Sequence, residues 1–263
     1  MELKKLYDII GLQEQVIKRL EFAAAKIETE TVTKYTLLLT DPNSYECAER
    51  ELEKLLHPDR GGFKILYVML RSALISYDKY VNKHIPDDIF TASMKSFTRF
   101  ISETMESFGE YGYDRAWWSG RFLSLLIFRI GELEYEILYD DSEISIHIPS
   151  DADLSKADES IADSKRFFAE FFPNCKNWNY TCLSWLLSPS LDLLLDKQSK
   201  ILEFKSKFKI TDVYPDDEGY KKWVFKNPNL LPQGFPENTS LQRTMKNYIL
   251  CGGKIGEAKG VLI

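Results

Sequence analysis

Apolar positions over the first hundred or so residues recur every three to four places, the period of helices with one buried face. Leu3, Leu6, Ile9 and Ile10 follow this spacing, as do Val16, Ile17 and Leu20. Asp41-Pro42-Asn43-Ser44 interrupts the pattern and offers caps for a helix running through Leu56. His57-Pro58-Asp59-Arg60-Gly61-Gly62 is a turn cluster. Positions 63–81 return to the helical period. Pro86 then opens a helix over 87–108 that buries Ile89, Phe90, Met94, Phe97 and Phe100, and a short loop over 109–114 follows.

Beyond that loop the period changes from about 3.6 to 2. Three strand-like runs follow one another, over 121–129, 132–139 and 143–149. In the second, Leu133, Tyr135 and Ile137 point one way and Glu132, Glu134 and Glu136 the other, which predicts a half-wet antiparallel strand. Gly131 sits where a tight turn needs it, and Asp140-Asp141-Ser142 makes the next turn. A polar loop over 150–155 leads into a helix over 155–172. Positions 180–187 predict a buried strand, with a short helix after Pro189. Positions 201–213 and 222–225 predict two more strands. A last helix runs from Thr239 to Leu250, stopped by Gly252-Gly253. The expected fold class is α+β: an all-helical domain over 1–118, then a mixed β-sheet domain with flanking helices over 119–263.

Composition narrows the function. The 263 residues are 44% hydrophobic and 28% charged, ordinary for a globular protein with a substantial core. A net charge of −6 argues against a nucleic-acid surface. The first residues mix acids and bases without an apolar stretch of signal type, and the longest apolar runs are too short to span a bilayer. Cys47, Cys175, Cys182 and Cys251 are scattered, as for reduced thiols in a cytoplasm. The three histidines, His57, His84 and His147, and the dispersed cysteines give no metal-ligand spacing. The expectation is a cytoplasmic protein with neither nucleic-acid nor membrane partners.

His57-Pro58-Asp59, with Leu6–Leu12 upstream, mimics the J-domain of Hsp70 co-chaperones. Its distance from the upstream segment is about twice what that family uses. The helix before it is acidic, with Glu46, Glu49, Glu51 and Glu53, where the J-domain helix is basic. A helix-ending turn is the better reading.

The element order strand–strand–strand–loop–helix–strand resembles the GNAT N-acyltransferase fold. Ile85-Pro86-Asp87-Asp88, Trp117-Trp118-Ser119-Gly120-Arg121, the run from Arg129 to Glu136, His147-Ile148-Pro149-Ser150, the run from Cys182 to Pro189 and Thr239–Arg243 together resemble a bacterial family of acyltransferase-domain proteins. That family pairs an all-helical N-terminal domain with a GNAT-like C-terminal domain. The resemblance implies transfer of an acyl group from acetyl-CoA or another acyl-CoA, as co-substrate, to an amine. It also implies a pair of parallel strands, 143–149 and 180–187, that splay to take the pantetheine arm, with pyrophosphate on the helix start near Ser155. Ile146, Ile148, Ser150, Ala152, Leu154 and Ser155 would then contact the coenzyme. The usual Q/RxxGxG/A loop is replaced by Ser150-Asp151-Ala152-Asp153-Leu154-Ser155, which has no glycine and two carboxylates. The alternative is a GNAT-like scaffold that binds a small molecule or a protein without catalysis.

Alternation puts Ser145, His147 and Pro149 on one strand face and Cys182, Ser184 and Leu186 on one face of the other strand. If the strands are neighbours, His147 approaches Cys182 or Ser184. Histidine suits the base that deprotonates an amine, and Cys182 is a candidate acyl-carrying nucleophile. Glu132 and Glu134, from the carboxylate ladder with Glu136, are candidates to orient or deprotonate a cationic amine. Tyr248 is a candidate acid for the leaving thiolate. Lys197, Lys200, Lys205, Lys207 and Lys209 form a local basic zone.

Overall fold

A computed structural model describes residues 1–227 and 229–263. The chain divides into two compact units, Met1–Ile130 and Gly131–Ile263. The division falls later than the expected 118/119 junction, because the next helix and strand pack with the helical unit.

The first unit comprises α1 (Leu3–Ile10), α2 (Glu14–Ala24), α3 (Thr29–Leu38), α4 (Tyr45–Leu56), α5 (Phe63–Asn82), α6 (Asp87–Phe108), α7 (Ala116–Leu123) and β1 (Ile127–Ile130). Helix α5 is its axis, burying Leu66, Val68, Met69, Leu70, Ala73 and Tyr80 completely while α2, α3 and α7 pack around it. Each fully buried aliphatic side chain contributes roughly 1.5–3 kcal/mol of transfer free energy. Helix α6 buries Phe90, Met94, Phe97 and Ile101 and packs on β1 and α1. Side-chain hydroxyls tie the layers: Ser76 Oγ donates to Leu123 O at 2.6 Å, and Thr98 Oγ1 to Ile10 O at 2.8 Å.

The 57–62 turn joins α4 to α5. Asp59 Oδ1 accepts the Lys64 N–H and its Oδ2 the Ile65 N–H, both at 3.0 Å, so this carboxylate satisfies two of the first N–H groups of α5. Gly62, at φ +71°, admits no side chain, since a Cβ there would lie 2.0 Å from Tyr113 O. The helix-ending reading of His57-Pro58-Asp59 fits this geometry.

Part of the expected 121–129 strand is helix. Helix α7 continues to Leu123, Leu125 turns the chain at φ +59°, and only Ile127–Ile130 is strand. Phe122, Leu123, Ile127 and Phe128 are all fully buried. An apolar run buried on every side carries no period to separate helix from strand.

The second unit comprises β2 (Leu133–Leu138), β3 (Glu143–His147), α8 (Ala157–Phe171), β4 (Asn179–Ser184), α9 (Leu191–Leu194), α10 (Lys200–Lys205), β5 (Phe208–Tyr214), α11 (Tyr220–Val224), α12 (Ser240–Leu250) and β6 (Glu257–Leu262). Its sheet is mixed and runs β2-β3-β4-β6-β5. Among the described residues, β3 and β4 are its one parallel pair; β2/β3, β4/β6 and β5/β6 are antiparallel. One face carries Tyr135, Ile144, Ile146, Tyr180 and Cys182, and α8 lies against it, with Phe168 in edge contact with Tyr135 and Tyr180. A separate cluster joins Phe225, Phe235, Met245 and Ile255, with the Phe225 and Phe235 rings stacked at 3.9 Å.

Two expected strands are corrected. Positions 200–205 form α10, capped by Ser199 Oγ, and only the later part of the 201–213 run is strand β5. The 222–225 strand is instead the end of α11, with Phe225 stacked into the cluster. Strand β6, unforeseen in the sequence, fills the place between β4 and β5. Its Gly260 has no room for a Cβ, which would meet Phe208 Cβ at 2.9 Å. The half-wet reading of β2 is also corrected: Glu134 and Glu136 are buried along with its apolar residues.

Buried Glu49 on α4 carries a stability consequence. Desolvation first, and the neighbouring Glu53 second, push its carboxyl from 4.5 up to about 7. A raised folded-state value favours the protonated group, so its contribution is fully present below pH 4.5 and is lost as pH rises through about 7. Glu49→Gln should therefore raise Tm at pH 8 relative to the parent while giving little gain at pH 4. Thermal denaturation at the two pH values checks this, and equal effects at both would refute it.

Candidate active site

The site begins where α8 fastens to β2. Gly131 turns the chain at φ +60° against Ser160, whose atoms would lie 3.1–3.3 Å from a Cβ at this position. Ser160 Oγ accepts the Leu133 N–H at 3.2 Å and shares a 2.8 Å hydrogen bond with Tyr135 OH. These bonds fix the helix under the apolar face and so fix which residues of β2 and β3 point to the other face.

The pairing of β3 with β4 is short. Glu143 faces Asn179, Ile144 faces Tyr180, and Ser145 faces Thr181, and there the ladder ends. Both strands go on. Ile146 and His147 remain paired to Tyr135 and Glu134 of β2, while Cys182, Leu183 and Ser184 remain paired to Gly260, Lys259 and Ala258 of β6. Each strand is held by its outer neighbour after it has left its inner one. A turn over Trp185–Leu187, with Ser184 Oγ accepting the Leu186 N–H at 3.2 Å, ends β4. The inner edges beyond Ser145 and Thr181 thus form a gap inside the sheet. Such edges accept an extended chain carrying amide groups.

Register decides what stands beside the gap. Directly paired residues share a face, so Glu134, Glu136, Ser145, His147 and Thr181 lie together. His147 Nε2 and Glu136 Oε2 are 2.8 Å apart, a diagonal contact across β2 and β3. Glu136 is 7% and Glu134 2% exposed, whereas His147 is half-buried. A buried carboxylate on one ring nitrogen orients the imidazole and balances the charge it gains when it takes a proton. At the start of β3, Glu143 Oε2 accepts from Thr181 Oγ1 at 3.0 Å and from Lys259 Nζ at 2.9 Å. That hydrogen bond holds the Lys259 ammonium above its ordinary range.

The loop after β3 is closed by its own acids. Asp153 Oδ1 accepts both the N–H of Ser155, at 3.0 Å, and its Oγ, at 2.6 Å. The Ser155 bonds, followed by Lys200, hold the Asp153 carboxyl below its usual range. Glu132 Oε2 takes the Asp153 N–H at 3.0 Å, and the Ala152 N–H goes to Pro149 O. The donors expected at Ser155 and Ala152 to cradle pyrophosphate are therefore spent. Ser150 is exposed, Leu154 and Ile148 are half-exposed, and Ile146 sends its side chain into the core, leaving only its backbone at the gap.

Other expected residues fall elsewhere. Cys182 and Ser184 lie on the face opposite His147, because Thr181, not Cys182, is level with Ser145. Cys182 is wholly buried and burial pushes its thiol up, so it stays neutral and is unsuited to attack an acyl group. Ser184 begins the turn that ends β4. Tyr248 packs in the Phe225–Met245 cluster beside Gly253. Of the basic zone, Lys200, Lys205 and Lys207 pair with Asp153, Asp192 and Asp158. Glu132 serves the loop. Glu136 is the partner that the sequence reading left out of the candidate set, although its place in the alternation with Glu134 put it on the right face.

Residues 1–125 match the N-acyltransferase N-terminal domain and residues 127–262 the GNAT-like C-terminal domain. No curated protein matches the sequence. Among solved structures, an acyltransferase in complex with decanoyl-CoA and teicoplanin superposes with a TM-score of 0.72 at 17% identity, covering 100% of this chain and 99% of that one. An acyltransferase in complex with decanoyl-CoA gives 0.70 at 17% over the same shares, and an acyltransferase mutant in complex with octanoyl-CoA gives 0.70 at 16%. At these identities the likeness is one of fold. The two sequence matches, which between them run nearly end to end, place the chain in the family that joins an N-acyltransferase N-terminal domain to a GNAT-like C-terminal domain.

Proposed function

We propose that the protein transfers an acyl group from acyl-CoA to a small-molecule amine, with the donor's pantetheine arm lying in the gap between β3 and β4. The observation that carries this reading is the parallel ladder that stops at Ser145 and Thr181 while both strands continue. The amide groups of pantetheine match strand-edge N–H and C=O groups, and the edge N–H groups polarise the thioester carbonyl. The acyl-CoA complexes of proteins that share the fold support the choice of donor.

His147 acts as the base, with Glu136 as its positioning partner. The amine nitrogen bonds to the thioester carbon as His147 takes its proton. The carbon–sulfur bond then breaks, and the proton passes to the departing thiolate. Glu134 adds negative charge that attracts the acceptor as an ammonium, which loses one proton to solvent before the free amine attacks. Phosphates meet poor company at Asp151 and Asp153, so the nucleotide end is held less by the 150–155 loop than in GNAT proteins with a glycine-rich loop. Among the described residues no helix is long and apolar enough to cross a membrane.

A non-catalytic binding module is the second reading, and the acid-filled loop favours it. Acyl-CoA binding separates the two. Acetyl-, octanoyl- and decanoyl-CoA tested near one hundred times Kd should stabilise the fold by roughly 2.7 kcal/mol, visible as a rise in Tm. No rise with any of the three sinks the enzyme reading. For the base, thiol release in the presence of an amine panel should fall about 10²- to 10⁴-fold in His147→Ala, with the donor-induced rise in Tm retained. Glu136→Gln should lower kcat about tenfold or more with little change in the donor's KM, and an unaltered kcat would remove Glu136 from the mechanism.

A further inference from the structure

Taken by itself, the helical unit holds an open cleft of about 1230 Å³, walled by α2, the 57–62 turn, the end of α6 and the loop over 110–114. This exceeds the size of ordinary small-molecule pockets, and acyl transfer as derived above makes no use of it. Five cations line it: Lys18 pairs with Glu14, while Arg19, Lys26, Arg60 and Lys64 have no carboxylate partner among the described residues. Arg19 donates to Tyr111 O at 3.0 Å and lies over the Phe63 ring at 5.3 Å. Lys26 Nζ sits 3.8 Å from the centre of the Phe22 ring. Lys64 is spent on the carbonyls of Leu56 and Pro58, and Arg60 is exposed.

Two of the four carboxylates in the same walls are already engaged. Asp59 holds the two N–H groups of α5 and Asp114 pairs with Arg115, which leaves Glu53 and Glu110. The lining thus carries five cations against four carboxylates, a local excess of positive charge in a chain whose net charge is −6. Its rim also exposes two large rings, Phe22 at 67% and Phe108 at 62%. Exposed phenyl rings next to cations that no carboxylate pairs complement a ligand that is flat and apolar over most of its area and anionic at one end.

We propose that this cleft binds a small aromatic organic acid, its ring against Phe22 and Phe108 and its carboxylate met by Lys26 and Arg60. The claim is independent of the acyl-transfer reading. Its test is calorimetric titration of the full chain with 2-naphthoate, 2-naphthamide and inorganic phosphate. Naphthoate should bind saturably, and the neutral amide and the ring-less anion should each bind at least tenfold more weakly. Lys26→Gln/Arg60→Gln and, separately, Phe22→Ala should each weaken naphthoate at least tenfold. All three positions are solvent-exposed, so an unchanged Tm verifies that the variants fold. Absence of saturable naphthoate binding, equal affinity for the amide or for phosphate, or unchanged affinity in the charge variant would overturn the proposal.

Discussion

Between β3 and β4 the backbone hydrogen bonding covers three residue pairs and then stops, although neither strand does. Leaving strand edges unpaired inside a sheet is unfavourable, because each N–H and C=O group loses a partner worth about 1 kcal/mol net. The arrangement survives because β2 and β6 hold the outer edges of the diverging segments. Strand β6, near the end of the sequence, is thus as necessary to the gap as the two strands that form it. The gap in turn makes this face of the sheet a place for an extended, amide-bearing ligand.

Next to the gap the sheet places carboxylates where a structural sheet places aliphatic side chains. Glu134 and Glu136 are buried, and buried carboxylates destabilise a fold unless partners compensate. Glu136 finds His147 at 2.8 Å. Stability alone would be served as well by two apolar residues, so the polar pair points to chemistry. The opposite face shows the contrast. There Tyr135, Ile144, Ile146, Tyr180 and Cys182 are buried, Phe168 of α8 meets Tyr135 and Tyr180, and burial pushes the Tyr180 hydroxyl up to about 12. A thiol in that setting is a packing residue.

Much of the architecture was legible in the sequence where apolar and polar positions recur with a clear period. The helix over 87–108 and the strand over 132–139 were readable because their periods are distinct and their ends are marked by Pro86, Gly109 and Gly131. Legibility failed where a run is apolar on every side or where tertiary packing overrode local pattern. The run 121–129 has no polar face to set a period. Phe225 looked like a strand residue because its ring stacks on Phe235 across a contact that no local window contains. Strand β6, with Lys259 and Gly260, lacks alternation because Gly260 is there for want of space beside Phe208.

By itself, the sequence determined the α+β class, the order of the central strands and the membership of His147 and the glutamates in one stretch of chain. These are matters of local period and composition, which a linear string carries. It also showed the missing glycines of the 150–155 loop, though not that Asp153 and Glu132 had taken the donors. Tertiary structure alone decided the β3–β4 register, and that single offset put Thr181 level with Ser145 and turned Cys182 away from His147. Side chains alternate every residue, so a one-place difference in register moves a residue to the other face of the sheet. No pattern within either strand specifies that offset; it is set by how α8, β2 and β6 hold the two strands in place.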